Sequence, residues 1–186
     1  MLIGVVSDIH DHLPRLRAAL QRLDAAGAEA LICCGDLCSP FVISELARGF
    51  PARPIHVVFG NNDGDRYRIT TFAIHRRDVA RTADVEVHGE SAALELGGKR
   101  IFVHHFNDVG ALIAAAGEFD VVCYGHNHEW KAERRPGASL EINPGAIMGW
   151  HPRQGDILST YALYDTERDE VRIFDTDTGE EVQAAG

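Results

Sequence analysis

Five apolar runs in this sequence stop at polar residues of the same few kinds. The first runs into Asp8-Ile9-His10, the second into Gly35-Asp36, and the third into Gly60-Asn61-Asn62-Asp63. The fourth ends in His104-His105 and the fifth in Gly125-His126-Asn127-His128. Carboxylate, carboxamide and imidazole offer oxygen and nitrogen donors suited to one or two divalent transition metals, with no thiolate among them. Taken singly, these motifs carry little weight. Asp-x-His arises by chance, Gly-Asp is a common turn, and an isolated histidine is usually satisfied in a core or on a surface. His56, His75, His88 and His151 are read in that ordinary way. The series is informative because each polar group directly follows an apolar run, where a single crevice could gather all five.

The elements that must position these groups alternate along the first two thirds of the chain. "LIGVVSDI" reads as a strand, and Leu13, Leu16, Leu20 and Leu23 then share one helical face, with Pro14 in the first turn and Gly27 as a stop. "ALICCGD", "PFVISELARG" and "PIHVVFGNND" continue as strand, helix and strand. This β-α-β-α-β order predicts a parallel sheet with right-handed crossovers, whose strand carboxyl ends form a ligand crevice. Residues 64–83 suggest a short helix or a lid. "ALELGGKRIFVHH" predicts a hairpin turning at Gly97-Gly98, followed by a helix in "DVGALIAAAGEF" and a strand in "DVVCYGHNH". The tail, "ILSTYALYDT" and "EVRIFDTDTG", reads as antiparallel strands closing a second sheet.

Composition excludes several function classes. A length of 186 residues suits one domain over residues 1–186, and a net charge of −10 disfavours non-specific attraction to nucleic acid or an anionic membrane surface. No apolar run approaches the roughly 20 residues a membrane helix needs. The N-terminus lacks a basic leader and reads as the first strand. Cys33, Cys34, Cys38 and Cys123 form no C-x-x-C pair, so reduced core thiols and a cytoplasmic setting are expected. Self-association is left open.

The ordered series D-x-H, G-D, G-N-x-D, H and G-H-x-H resembles the calcineurin-like metallophosphoesterases over roughly residues 2–153. The "INPGA" stretch and compact size resemble their small bacterial and archaeal phosphodiesterase branch. The resemblance implies an α/β fold, a four-layer α/β/β/α sandwich of two packed mixed sheets with a dinuclear metal site at strand C-terminal ends. It implies one ion held by Asp8, His10, Asp36 and His128, and a second by Asp36, Asn61, His104 and His126, with Asp36 bridging. Manganese leads among the metals implied, with Fe, Ni, Co and Zn also suited. Two cations about 3.5–4 Å apart would clamp a small phosphoester and activate a bridging hydroxide. The "HNH" string also occurs in ββα-metal nucleases, but it ends an apolar strand here rather than joining a hairpin to a helix.

Several positions depart from the family pattern. Much of the family carries a histidine where this chain has Asn62, and an amide cannot titrate as a general acid. Asp63 could hold substrate or a histidine, and His105 and His12 are spare imidazoles, so the catalytic set reads as Asp63, His105 and Asn62. Asn143, Gly145 and Arg153 are candidates for substrate binding. Arg66, Arg68, Arg76, Arg77 and Arg81 could steer phosphate, although a solvated helix face is the simpler reading. The principal expectation is a metal-dependent phosphohydrolase, a phosphodiesterase ahead of a monoesterase. A non-catalytic scaffold of the same fold, or a slow phosphate- or nucleotide-binding regulator, are the alternatives.

Overall fold

A computed structural model describes residues 1–76 and 83–182. β1 (Leu2–Val6), α1 (Leu13–Ala25), β2 (Ala30–Cys33), α2 (Phe41–Gly49) and β3 (Pro54–Val57) alternate as expected, and β1, β2 and β3 are parallel neighbours. α1 starts where the His12 side chain accepts the Arg15 N–H, and Pro14 lies in the first turn. Its Leu16, Leu20 and Leu23 are fully buried, each burial contributing about 1.5–3 kcal/mol. α3 (Arg66–Ile74) follows, and β4 (Asp84–Val87) adds a fourth parallel strand. Residues 64–76 thus include a packed helix, anchored by Ile69 and Ala73. Residues 77–82, with Arg77 and Arg81, lie outside the described residues.

The second sheet opens with the expected hairpin. β5 (Ser91–Leu96) and β6 (Lys99–His104) are joined by Gly97 and Gly98, at φ 56° and 74°. Both turn residues need the left-handed region that glycine enters without a Cβ penalty. α4 (Asn107–Ala116), β7 (Val121–Cys123), β8 (Lys131–Arg134) and β9 (Leu140–Asn143) complete the unit, with strand order β5-β6-β7-β9-β8. A short ribbon of β10 (Trp150–His151) and β11 (Gly155–Asp156) follows.

The tail corrects one expectation. β12 (Thr160–Asp165) and β13 (Glu170–Asp175) join the first sheet, not the second, giving the order β13-β12-β1-β2-β3-β4. β12 pairs antiparallel with β1 and is buried on both faces. Tyr161 and Leu163 enter one core while Ala162 and Tyr164 enter another, so covering the open edge of β1 satisfies both sides of the strand.

Three apolar clusters separate four layers. Residues of α1, α2 and α3 pack on Val6, Leu31, Cys33, Ile55 and Val57. Ile3, Val5 and Ile32 of the first sheet meet Ile101, Val103, Val121 and Ile142 of the second. Ala114 of α4 packs on Val122 and Tyr124. The architecture is therefore an α/β fold of two packed mixed sheets between helices.

Candidate metal centre

The turns after β1, β2, β3, β6 and β7 converge. Asp8 and Asp36 are buried, and between them they face His10, His105 and His128. Asp36 Oδ2 lies 3.4 Å from His10 Nε2 and 3.4 Å from His105 Nε2. Asp8 Oδ1 lies 3.3 Å from His128 Nε2 and 3.9 Å from His10 Nε2. His105 Nε2 is 3.1 Å from Asn61 Oδ1 and 3.3 Å from His126 Nδ1. Donor atoms thus cluster on either side of Asp36.

Local backbone strain aims these side chains. Asp8 (φ 51°), His10 (44°), Asp36 (55°), His126 (74°) and His128 (60°) all occupy the left-handed region. For a residue with a Cβ that conformation costs about 1–2 kcal/mol. It persists where the surroundings over-determine it. Here Asp8 N–H donates to the Gly35 carbonyl (3.1 Å), His10 N–H to that of Asp36 (3.0 Å), and His126 N–H to Asp8 Oδ2 (3.0 Å). Two glycines give the carboxylates room: a Cβ on Gly60 would overlap the Asp36 carboxylate, and one on Gly125 would stand 2.6 Å from Asp8 Oδ2.

Tautomers are set by backbone carbonyls. His105 Nδ1 donates to the Cys34 carbonyl (2.8 Å) and His128 Nδ1 to the Trp150 carbonyl (2.5 Å). In the neutral rings the Nε2 lone pairs then point at the carboxylates, as metal-ligating imidazoles require. Burial would raise the Asp8 carboxyl, but the His10 and His128 side chains more than offset it and hold it below the usual range. Burial likewise opposes ionisation of Asp36, while His105 and Asn62 hold its pKa low. Burial raises the Cys38 thiol to about 12, and its Sγ lies 3.5 Å from His10 Nδ1.

These residues fit divalent ions. Asp8 Oδ1 and His10 Nε2 are buried and have no hydrogen-bond partner among the described residues. An unsatisfied buried acceptor costs about 1–3 kcal/mol, which a cation between these donors would offset. Asp8, His10 and His128 form one group with donor atoms within 4.8 Å of one another, and Asp8, Asp36 and His105 form another.

Residues 1–169 match the family model described as the calcineurin-like phosphoesterase superfamily domain. The chain belongs to that superfamily. It is 33% identical to phosphodiesterase MJ0936 of Methanocaldococcus jannaschii over 92% of this chain and 97% of the relative. A solved archaeal phosphodiesterase superposes with a TM-score of 0.80 at 31% identity, covering 94% of this chain and 99% of its own. Vps29 of Entamoeba histolytica shares the fold, with a TM-score of 0.70 at 21% identity and 98% of each chain covered.

Within the calcineurin-like frame, several expected residues fall elsewhere. His104 does not reach the cluster: its Nδ1 accepts the Phe106 N–H (3.1 Å) and its ring stacks on Phe102. His105, expected as a spare imidazole, occupies the position instead. Asp63, expected to hold substrate or a histidine, accepts the backbone N–H groups of Asp36 (3.1 Å), Gly60 (2.7 Å) and Cys38 (2.9 Å). Asn62 is turned onto Asp36. Asn143 is buried, donating to Asn127 Oδ1 (2.7 Å) and accepting the Gly145 N–H (3.0 Å). Asn143, with Gly145 bonded to it, thereby braces the His126–His128 turn. Arg153 is exposed in the β10–β11 ribbon. Arg66, Arg68 and Arg76 have partners in Glu90, Asp65 and Ser44.

A cavity of about 330 Å³ adjoins His128, lined by Trp130, His151, Ile157 and Leu158. His151, read as an ordinary surface histidine, lies on this wall. Sequence reasoning missed the cavity because its lining comes from irregular segments without periodicity. The apolar residues Trp130, Ile157 and Leu158 near the His126–His128 motif were the available signal.

Proposed function

We propose that this chain is a metal-dependent phosphodiesterase acting on small phosphoesters, with residues 1–186 working as one domain in the cytoplasm. Asp8, His10, Asp36 and His128 would hold one divalent transition ion, and Asp36, Asn61, His105 and His126 the second. The observation that carries this reading is the placement of Asp36 Oδ2 at 3.4 Å from imidazole nitrogens on both sides. When bound, such a pair of ions supplies Lewis-acid polarisation of phosphoryl oxygens and a water acidified toward neutral pH. The mixed oxygen and imidazole donors suit manganese first, with Fe, Co, Ni and Zn also accommodated.

The chain's own groups hold that chemistry in place. The Cys34 and Trp150 carbonyls keep the His105 and His128 rings oriented. Asp63 ties the Asp36 loop to Gly60, fixing the separation of the two ligand turns. The cavity beside His128 presents Trp130, Ile157 and Leu158 to the organic part of an ester. The likeness to named phosphodiesterases supports diesters over monoesters.

Metal-stripped protein supplied in turn with Mn²⁺, Ni²⁺, Co²⁺ or Zn²⁺ tests this reading against generic aryl phosphodiesters and phosphomonoesters. Hydrolysis is expected only after metal is restored, with the diester preferred. Metal uptake without turnover of either ester would favour a binding scaffold.

A further inference from the structure

A second set of ligand-type side chains lies on the first sheet, away from the strand-end centre. Ile55 and Val57 of β3 enter the helix-covered core, so alternation turns His56 to the opposite face. β3 and β4 pair in parallel with His56 directly beside Glu86. His88 follows Glu86 by two positions and shares its face.

Three donor atoms meet there. His56 Nδ1 lies 3.0 Å from His88 Nε2, and each of these nitrogens is 3.9 Å from Glu86 Oε2. Tetrahedral bonds of about 2.0–2.2 Å separate neighbouring donors by roughly 3.3–3.6 Å. The present spacings straddle that value, and small side-chain rotations reach it. A hydrogen bond between the two rings accounts for one of the three separations. It does not account for a carboxylate held equidistant from both nitrogens and beyond hydrogen-bond reach of either.

We propose that His56, Glu86 and His88 form a separate site for one divalent transition ion of the zinc class, clasping β3 to β4. Two imidazoles and a carboxylate are a ligand set zinc accepts, with its fourth position open. Burial lowers the pKa of both rings, so each presents a lone pair at neutral pH. His56 Nε2 is buried with no hydrogen-bond partner among the described residues. Ligation through Nδ1 therefore leaves the Nε2–H unbraced, unlike His105 and His128, and the ion binds more weakly here than at the strand ends. None of these residues belongs to the strand-end centre, so the inference goes beyond the proposed function and does not rest on it.

Equilibrium dialysis over a Zn²⁺ series rising to saturation compares wild type, His88→Ala and Glu86→Gln. His88→Ala should bind one ion fewer per chain than wild type, whatever number the strand-end centre takes. Glu86→Gln, an exposed change, should weaken one ion about 10-fold or more. Equal counts and affinities in all three proteins would overturn the proposal. If circular dichroism shows that His88→Ala does not fold, Glu86→Gln decides alone. A protein inactive on every ester that still loses one ion in His88→Ala would refute the proposed function and uphold this site.

Discussion

Asn62 grips Asp36 twice: its backbone N–H donates to Oδ1 at 2.7 Å and its side-chain Nδ2 to Oδ2 at 2.8 Å. The residue that stands where much of the family has a histidine therefore orients the carboxylate placed between the two clusters. Two lone-pair positions on Asp36 are occupied by these donors, and the rest are left for cations.

Asn62→Ala removes the side-chain donor and keeps the backbone one. Loss of such a ligand-orienting partner typically costs 10–100-fold in metal affinity or activity. Mn²⁺ titration should show weakening within that range and an unchanged circular dichroism spectrum. Unaltered affinity would mean that Asn62 does not set the Asp36 orientation.

His104 and His105 separate cleanly. His105→Ala should lose one ion of the strand-end centre and at least about 10²-fold in turnover, in line with losing a metal ligand. His104→Ala should keep its metal content and activity near wild type, since that ring packs on Phe102 and Phe106 and its Nδ1 accepts the Phe106 N–H. The opposite pattern in metal analysis would restore His104 to the site.

Asp63→Ala tests a purely structural role. Three backbone N–H groups lose their acceptor, two of them in bonds buried in the ligand turns. At about 1–3 kcal/mol per unsatisfied group, the variant should lose about 3 kcal/mol or more in urea unfolding with chelator present. A loss below about 1 kcal/mol would show that these turns hold without Asp63.

Leaving-group dependence should be steep. Asn62 cannot titrate, and general acid catalysis matters most for poor leaving groups, contributing about 10²–10⁴-fold. Aryl diesters should turn over well and unactivated alkyl diesters disproportionately slowly. Asn62→His should not flatten a plot of log kcat against leaving-group pKa, because the side chain at position 62 is turned onto Asp36, while Asp63 is engaged by three backbone N–H groups. Flattening in that variant would refute this argument.

Asp169 predicts a pH effect remote from the site. Its carboxylate accepts the Tyr164 hydroxyl (2.7 Å) and pairs with Lys99 (3.2 Å) and Arg134 (2.7 Å), linking the β12–β13 turn to the second sheet. Burial opposes ionisation, but the Tyr164, Lys99 and Arg134 contacts outweigh it and depress the pKa below 3.8. A depressed folded-state pKa contributes stability above the unfolded value and loses it as pH falls through the folded one. The Tm gap between wild type and Asp169→Asn should be steady from pH 7 to 5 and close below about pH 3.8. A gap that persists at pH 2 would assign the effect to packing.

The convergence of the strand-end side chains was legible in the chain itself. Apolar runs that stop at Asp, Asn or His place those side chains at strand carboxyl ends, and Asp8, His10, Asp36, Asn61, His126 and His128 all converge there. The choice between adjacent histidines was not legible, because β6 is apolar on both faces. Only packing shows that Ile101 and Val103 face the other sheet, so that His105 continues their face while His104 falls with Phe102. β12 was misplaced for the same reason, since burial on both sides erases the alternation that assigns a strand to a sheet. The cluster of His56, Glu86 and His88 depends on strand register, which brings together side chains about thirty residues apart in sequence. Periodicity reports which face a residue occupies; pairing between distant strands decides what stands beside it.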